Sequence, residues 1–162
     1  MNDLDELTRL VAPRDPPPPA VDWVAARAAL GVDLPADYRA LVERYGSGSI
    51  AGLRLFVPGH PQAFLDLLRQ VDTQRGVLRE LLALGIEQPY DPDELLPWGM
   101  DDAGNTVWWL PRDGWAVVAN EARGEDWDRY ESAVVMLTGL LSGRLESEFL
   151  TIEGSDFIPF DY

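Results

Sequence analysis

The sequence predicts an α+β fold, a single domain whose central, largely antiparallel sheet is flanked by helices. Amphipathic helical patterns dominate the first half of the 162-residue chain, and short β-prone runs separated by turn residues follow in the second half. Strands and helices do not alternate regularly, which argues against a doubly wound parallel sheet. A chain of this length can bury enough surface to fold without a disulfide or a structural metal.

The first 19 residues are predicted to form an arm ahead of the domain, which then spans residues 20–162. Leucines at helical spacing within the first dozen residues indicate a short amphipathic helix. The run PRDPPPP at 13–19 lacks most backbone donors and should extend as a stiff polyproline spacer.

Two helices with clear end signals open the domain. The first extends from about Val21 to Leu30, with Asp22 as its N-cap and Gly31 at the left-handed position after its end. The second begins near Pro35, which suits a first helical turn, and stops at Gly46. Its apolar residues recur at intervals of three and four, so one face should be buried.

A strand and two further helical segments are predicted outside the β-rich region. Residues 50–57 read as a strand, and residues 62–84 form a long amphipathic stretch. Residues 132–142 form the last helix, and the tail FIPFDY is apolar enough to dock against the rest of the chain.

An antiparallel meander is predicted between residues 95 and 119. The runs LLPWGM, TVWWL and WAVVA are β-prone, and the intervening DDAGN and PRDG are turn sequences. Trp108 and Trp109 are adjacent in the middle run and must face opposite sides of the sheet. We expect one of them in the core, and the other either exposed or covered by a helix.

Acidic residues are concentrated in the second half of the chain. The protein has 13 arginines, no lysine and 28 acidic residues, for a net charge of −15. Residues 1–81 contribute −2 (nine Arg, eleven acidic) and residues 82–162 contribute −13 (four Arg, seventeen acidic). Such a surface repels phosphate backbones and anionic lipids, so we expect no nucleic-acid or membrane partner, and a basic protein partner fits. Acidic residues that only maintain solubility are the alternative.

Composition excludes several classes of site. Without cysteine the chain has no disulfide, thiolate nucleophile or thiolate zinc site. Its single histidine, His60, lies in a Gly-His-Pro turn, so we expect no catalytic role for it and no cofactor. The start MNDLDELTRL lacks a signal-peptide pattern and no apolar run is long enough for a membrane span, so a cytoplasmic location is expected.

Two glycine-containing segments are better explained as turns than as ligand sites. DDAGN at 101–105 lacks the alternating acids and the later glutamate of a calcium loop, which favours a tight hairpin turn. YGSGS at 45–49 follows a helix and has no P-loop lysine, which favours a helix stop and a flexible link. Carboxylate pairs for acid–base chemistry are too numerous to single out any one of them.

Acids of the 91–131 region, with Trp127 or Trp109 as an apolar anchor, are the predicted partner-binding surface, and within it the segment 121–131 combines five acidic residues with aromatic ones. Tryptophan is a frequent hot-spot residue in protein interfaces. With the meander residues, this segment gives the predicted partner-binding set: Asp101, Asp102, Trp109, Glu121, Glu125, Asp126, Trp127 and Asp128. A solvated loop leading into the last helix is the alternative for 121–131.

The order of several short motifs resembles the SUKH superfamily. LPADYR at 34–39 is followed one helix later by YGSG at 45–48, and LPWGMDDAGN at 96–105 is followed by an aromatic strand. A Trp-bearing helix ending in Leu30-Gly31 precedes them. The likeness covers roughly residues 20–142, and nothing is carried over to the proline-rich arm or the 62–84 segment.

The resemblance implies an α+β domain without enzymatic activity. The superfamily contains bacterial toxin-immunity proteins and fungal cell-wall-synthesis regulators, and the bacterial relatives typically neutralise a toxin, often a nuclease, in the cytoplasm. The motif residues are cap, turn and core positions, so they report the fold and do not locate a binding surface: Leu34, Pro35, Tyr38, Gly46, Gly48, Gly99, Gly104 and Asn105.

We therefore expect an immunity protein that neutralises a cognate toxin, in particular a basic nuclease domain, through its acidic surface. A regulatory or scaffold module of the cell-wall-regulator type is the alternative. A carboxylate-based, metal-dependent hydrolase is a third and weaker reading. A monomer is favoured, with no cofactor.

Overall fold

One antiparallel sheet forms the centre of the protein. The computed structural model describes residues 2–160, and seven strands within them pair in the order β6-β5-β4-β3-β2-β1-β7. Every neighbouring pair is antiparallel. The strands are β1 (Gly48–Ile50), β2 (Leu53–Leu55), β3 (Leu96–Asp101), β4 (Thr106–Leu110), β5 (Ala116–Asn120), β6 (Trp127–Tyr130) and β7 (Phe157–Pro159). The predicted α+β class with an antiparallel sheet is confirmed.

The helices begin and end close to the predicted positions. Among the described residues they are α1 (Asp3–Leu10), α2 (Trp23–Leu30), α3 (Ala36–Tyr45), α4 (Leu67–Ala83) and α5 (Ala133–Ser142). The side chain of Asp22 accepts a hydrogen bond from the Ala25 amide at 2.9 Å and caps α2. Gly31 has a φ of 77°, the left-handed conformation that ends this helix.

The two adjacent tryptophans of β4 lie on opposite faces of the sheet, and both are buried. Trp109 packs edge-on against Tyr38 of α3, with ring centroids 4.8 Å apart, and stacks on Trp98 at 6.0 Å. Trp108 belongs to a second apolar cluster, in which Leu78 and Leu81 of α4 cover the other face. Helices therefore cover this part of the sheet on both sides. Of the two possibilities for the second tryptophan, exposed or covered by a helix, the structure confirms that it is covered.

The predicted strand at 50–57 is instead a hairpin. β1 and β2 pair through Ile50 and Leu53, with Ala51 and Gly52 as the two-residue turn. Both turn residues have positive φ, 49° for Ala51 and 93° for Gly52, as the tightest hairpin turns require. Alanine rarely adopts this conformation, so the sequence carries a weak turn signal here.

The N-terminal helix of the predicted arm packs into the core. Leu7 and Val11 are fully buried. The phenol of Tyr45 donates to the Val11 carbonyl at 2.7 Å, and the hydroxyl of Thr138 in α5 donates to the Asp3 carbonyl at 3.0 Å. Contacts with α3 and α5 therefore hold this helix against the domain.

Two buried phenols should make the fold sensitive to alkaline pH. Burial raises the pKa of Tyr45 to about 12 and raises the pKa of Tyr38 well above its ordinary value. An unfolded chain releases these protons near pH 10, as ordinary tyrosine does. Between about pH 10 and 12 the unfolded state therefore binds fewer protons than the folded state, and stability falls as the pH rises.

Denaturant unfolding at a series of pH values tests this expectation. The free energy of unfolding should decline above about pH 10. Tyr45→Phe should make its slope against pH shallower by the contribution of about one proton, because one titrating group is removed. An unchanged slope in the variant would show that Tyr45 titrates alike in both states.

Candidate functional site

Three hairpin turns of the described chain lie side by side at one end of the sheet, which we call the hairpin end. They are residues 51–52 between β1 and β2, residues 102–105 between β3 and β4, and residues 121–126 between β5 and β6. The antiparallel register places them together because the first residue of β2, Leu53, pairs with the last residue of β3, Asp101.

Asp101 is the buried anchor of the hairpin end. Its carboxylate accepts hydrogen bonds from the backbone amides of Ala103 (3.0 Å), Asn105 (2.9 Å) and Thr151 (2.9 Å). A fourth hydrogen bond comes from the side-chain amide of Asn105 at 2.8 Å. The residue is 0% exposed, so these donors take the place of water around the charge. The DDAGN segment is the tight turn that the sequence predicted.

Asn105 extends this network to two other segments. Its side-chain oxygen accepts from the Ala122 amide at 2.8 Å, in the neighbouring turn. Its side-chain nitrogen donates to the Phe149 carbonyl at 2.9 Å. The partners lie 17 and 44 residues away in sequence, so local turn signals could not reveal these cross-links. Together Asp101 and Asn105 hold three segments in a fixed arrangement.

The surface of the hairpin end carries six exposed or half-exposed acidic residues and one exposed arginine, Arg123, in the third turn. The C-terminal segment adds acids to it, because the Glu153 amide donates to the Ala51 carbonyl at 3.0 Å and the Ala51 amide donates to the Asp156 carbonyl at 2.8 Å. Within residues 2–160 none of its exposed or half-exposed carboxylates takes part in an ion pair. These residues are Asp102, Glu121, Glu125, Asp126, Glu153 and Asp156.

Two of the predicted partner-binding residues lie inside the protein. Asp101 and Trp109 are both 0% exposed, one in the turn network and the other in the aromatic cluster with Tyr38, Trp98 and Trp115. Neither can touch a protein docked on this surface, so the structure removes both from the candidate set. Turn acids and strand tryptophans look alike in sequence whether they are exposed or buried, and burial here depends on distant segments.

Trp127 and Asp128 project to opposite faces of the edge strand β6, as adjacent strand residues must. The indole of Trp127 is half-buried and donates to the Gln88 side chain at 2.8 Å. The carboxylate of Asp128 accepts from the Tyr130 phenol at 2.8 Å and from the Ser147 hydroxyl at 2.5 Å. Asp128 is therefore already engaged by hydrogen bonds on the face of the sheet opposite Trp127.

His60 lies in a turn that is not part of the hairpin end. Its Nδ1 accepts from the Gln62 amide at 3.0 Å, and its Nε2 lies 3.2 Å from the Phe160 carbonyl. Among the residues that the structure describes, no group of three or more histidine and acidic side chains is placed to hold a metal ion. No helix in that part of the chain is both long enough and apolar enough to cross a membrane.

Comparison with known protein families identifies a relationship. The family model described as SMI1 / KNR4 family (SUKH-1) matches residues 17–132, which include α2 to β6 and hence all three hairpin turns. No curated protein and no solved structure matches the chain.

Proposed function

The chain belongs to the SMI1/KNR4 family (SUKH-1), and from this membership we propose that it is a cytoplasmic immunity protein that neutralises a cognate toxin. The SUKH proteins include toxin-immunity proteins and regulators, and they are generally non-enzymatic. The partner we propose is a basic nuclease domain. The observation that supports this choice is the group of carboxylates at the hairpin end that form no ion pair within residues 2–160.

Charge complementarity is the physical reason for choosing a nuclease. A nuclease holds its substrate with arginines and lysines that neutralise phosphates, so its active-site surface is positive. Carboxylates presented together can occupy that surface and exclude the nucleic acid. A field of the opposite sign also steers the two proteins together and raises the association rate at low salt.

The hairpin end is suited to this role because the backbone of the turns that carry its charges is held in place. The Asp101 carboxylate and the Asn105 side chain fix the 102–105 and 121–126 turns relative to one another before any partner arrives. A preorganised surface avoids the entropy cost of ordering loops during binding. We propose that the contacts come from the remaining predicted acids, Asp102, Glu121, Glu125 and Asp126, with Trp127 as an apolar anchor beside them.

Co-expression with a candidate toxin domain from a neighbouring gene tests the proposal. We expect the chain to restore growth of cells that make the toxin and to purify with it as a stable complex. A catalytically inactive toxin domain should form the same complex, which separates binding from any effect on toxin expression. Absence of any complex, together with neighbouring genes for metabolism or wall synthesis, would instead support the regulatory function.

A further inference from the structure

Among the described residues, the two outermost strands of the sheet, β6 and β7, each have one side without a neighbouring strand. An edge strand offers a row of backbone donors and acceptors that another chain can pair with. Within residues 2–160 no other segment forms backbone hydrogen bonds with the outer side of either strand. The two edges differ in how open they are to such pairing.

The β7 edge is blocked by a proline. The Asp156 carbonyl and the Phe160 amide both bond inward to the β1 side, the first from the Ala51 amide and the second to the Ser47 carbonyl. Because inward and outward groups alternate along an antiparallel strand, Pro159 occupies an outward position. Proline has no N–H to donate, so an incoming strand finds only a short, interrupted ladder there.

The β6 edge is open. The Asp126 carbonyl accepts from the Glu121 amide at 3.0 Å and therefore points inward. The same alternation directs the backbone groups of Asp128 and Tyr130 inward to β5 and those of Trp127 and Arg129 outward. Each of these outward residues offers one N–H and one C=O, so the edge can form a continuous ladder with an added strand.

The side chains around β6 define the charge of such a strand. Exposed acidic residues border β6. Some lie directly before or after the strand in sequence, and others are sequence neighbours of Gln88 and Ser147, whose side chains hydrogen-bond to Trp127 and Asp128 of the strand. These acidic residues are Glu87, Glu125, Asp126, Glu131, Glu146 and Glu148. The one basic residue of the strand, Arg129, is paired with Asp113 at 2.8 Å. A basic segment fits this border, and an acidic one is repelled.

Trp127 provides an apolar contact beside the open edge. Its ring packs edge-on against Tyr90, with centroids 5.1 Å apart, and is only partly covered. Arginine and lysine side chains of a bound segment can lie against such a ring through cation–π contact.

We propose that β6 is a docking edge, to which an extended basic segment of the partner protein adds as a further strand of the sheet. This inference rests on the proposed function and specifies how the partner binds: by backbone pairing along β6, continuous with the acidic hairpin end at Asp126. Backbone hydrogen bonds supply the pairing, and the bordering acids select a basic sequence.

Amide hydrogen exchange of the protein, free and bound to the inactive toxin domain, tests the pairing directly. In the free protein the amides of Trp127 and Arg129 should exchange fast, while those of Asp128 and Tyr130 should be protected. In the complex the first two should become protected, and the inward pair serves as an internal control. A complex in which the outward amides still exchange fast would overturn the docking edge.

A pair of variants at one position gives a second test. Arg129→Pro removes an outward N–H, whereas Arg129→Ala removes the same side chain and keeps the N–H. We expect the proline variant to bind the toxin domain at least about tenfold more weakly than the alanine variant. Thermal unfolding of both variants verifies that they fold. Equal binding by two folded variants would refute backbone pairing.

These outcomes separate the two proposals. If the complex forms but either β6 test gives the contrary result, the docking edge is wrong and the immunity function stands. If no complex forms with the wild-type chain, the immunity function fails, and the docking edge fails with it.

Discussion

Replacing Asp101 with alanine is expected to lower the free energy of unfolding by about 3 kcal/mol or more, because each buried donor left without a partner costs about 1–3 kcal/mol. The carboxylate accepts four hydrogen bonds, and the residue is fully buried. Water entering the space that is left would satisfy some of the donors and moderate the loss. Denaturant unfolding with the midpoint and slope measured separately gives the change in stability.

Its sequence neighbour provides the matched control. Asp102 carries the same side chain in the same turn but is exposed, so Asp102→Ala should change stability by no more than about 0.5 kcal/mol. Asp101→Asn keeps the shape of the side chain but replaces one acceptor by a donor that faces other donors. Its loss of stability should therefore lie between those of Asp101→Ala and Asp102→Ala. Equal effects at positions 101 and 102 would contradict the anchor role.

The helix ends and the meander could be predicted because their signals are local. The caps of α2 and α5 are hydrogen bonds between residues three apart, Asp22 with Ala25 and Ser132 with Val135. Hairpin turns between β-prone runs are likewise encoded in a few adjacent residues. Such features depend little on the rest of the fold, so a single sequence is enough to locate them.

The edge strands could not be predicted, because strand formation there depends on a distant partner. The sequence of β6, WDRY, lies in an acidic segment that suits a solvated loop equally well, and it is extended because it pairs with β5. β7 pairs with β1 more than 100 residues earlier in the chain. The apolar tail indicated docking, but its spacing gave no register.

The partner-binding residues were predicted only as candidates, for a related reason. Charge and residue type identified an acidic second half, and of its eight candidates three are exposed and three half-buried at the hairpin end or beside it. Burial of Asp101 depends in part on Thr151, which is 50 residues away, and burial of Trp109 depends on helix α3. The residues next to Asp101 and Trp109 in sequence give no sign of these distant contacts. Exposed and buried candidates therefore cannot be distinguished from the sequence.

Reversing the exposed acids of the hairpin end should have the largest effect on toxin binding. The triple variant Asp102→Lys, Glu125→Lys, Asp126→Lys changes the net charge from −15 to −9, since each reversal adds two. We expect the association rate with the basic toxin domain to fall by about 10- to 100-fold at low salt, because electrostatic steering contributes factors of this size. The remaining rate should depend less on salt, which stopped-flow fluorescence of the tryptophans can measure.

A control variant with the same net charge distinguishes location from total charge. Asp5→Lys, Asp15→Lys, Glu43→Lys also gives −9, but these exposed acids lie on α1, the proline-rich spacer and α3. Steering acts through the local potential where the partner docks, so the control should slow association much less. Equal losses in both variants would mean that net charge alone drives encounter, and no loss in either would refute the acidic surface. Only a larger loss at the hairpin end supports the proposal that the partner docks there.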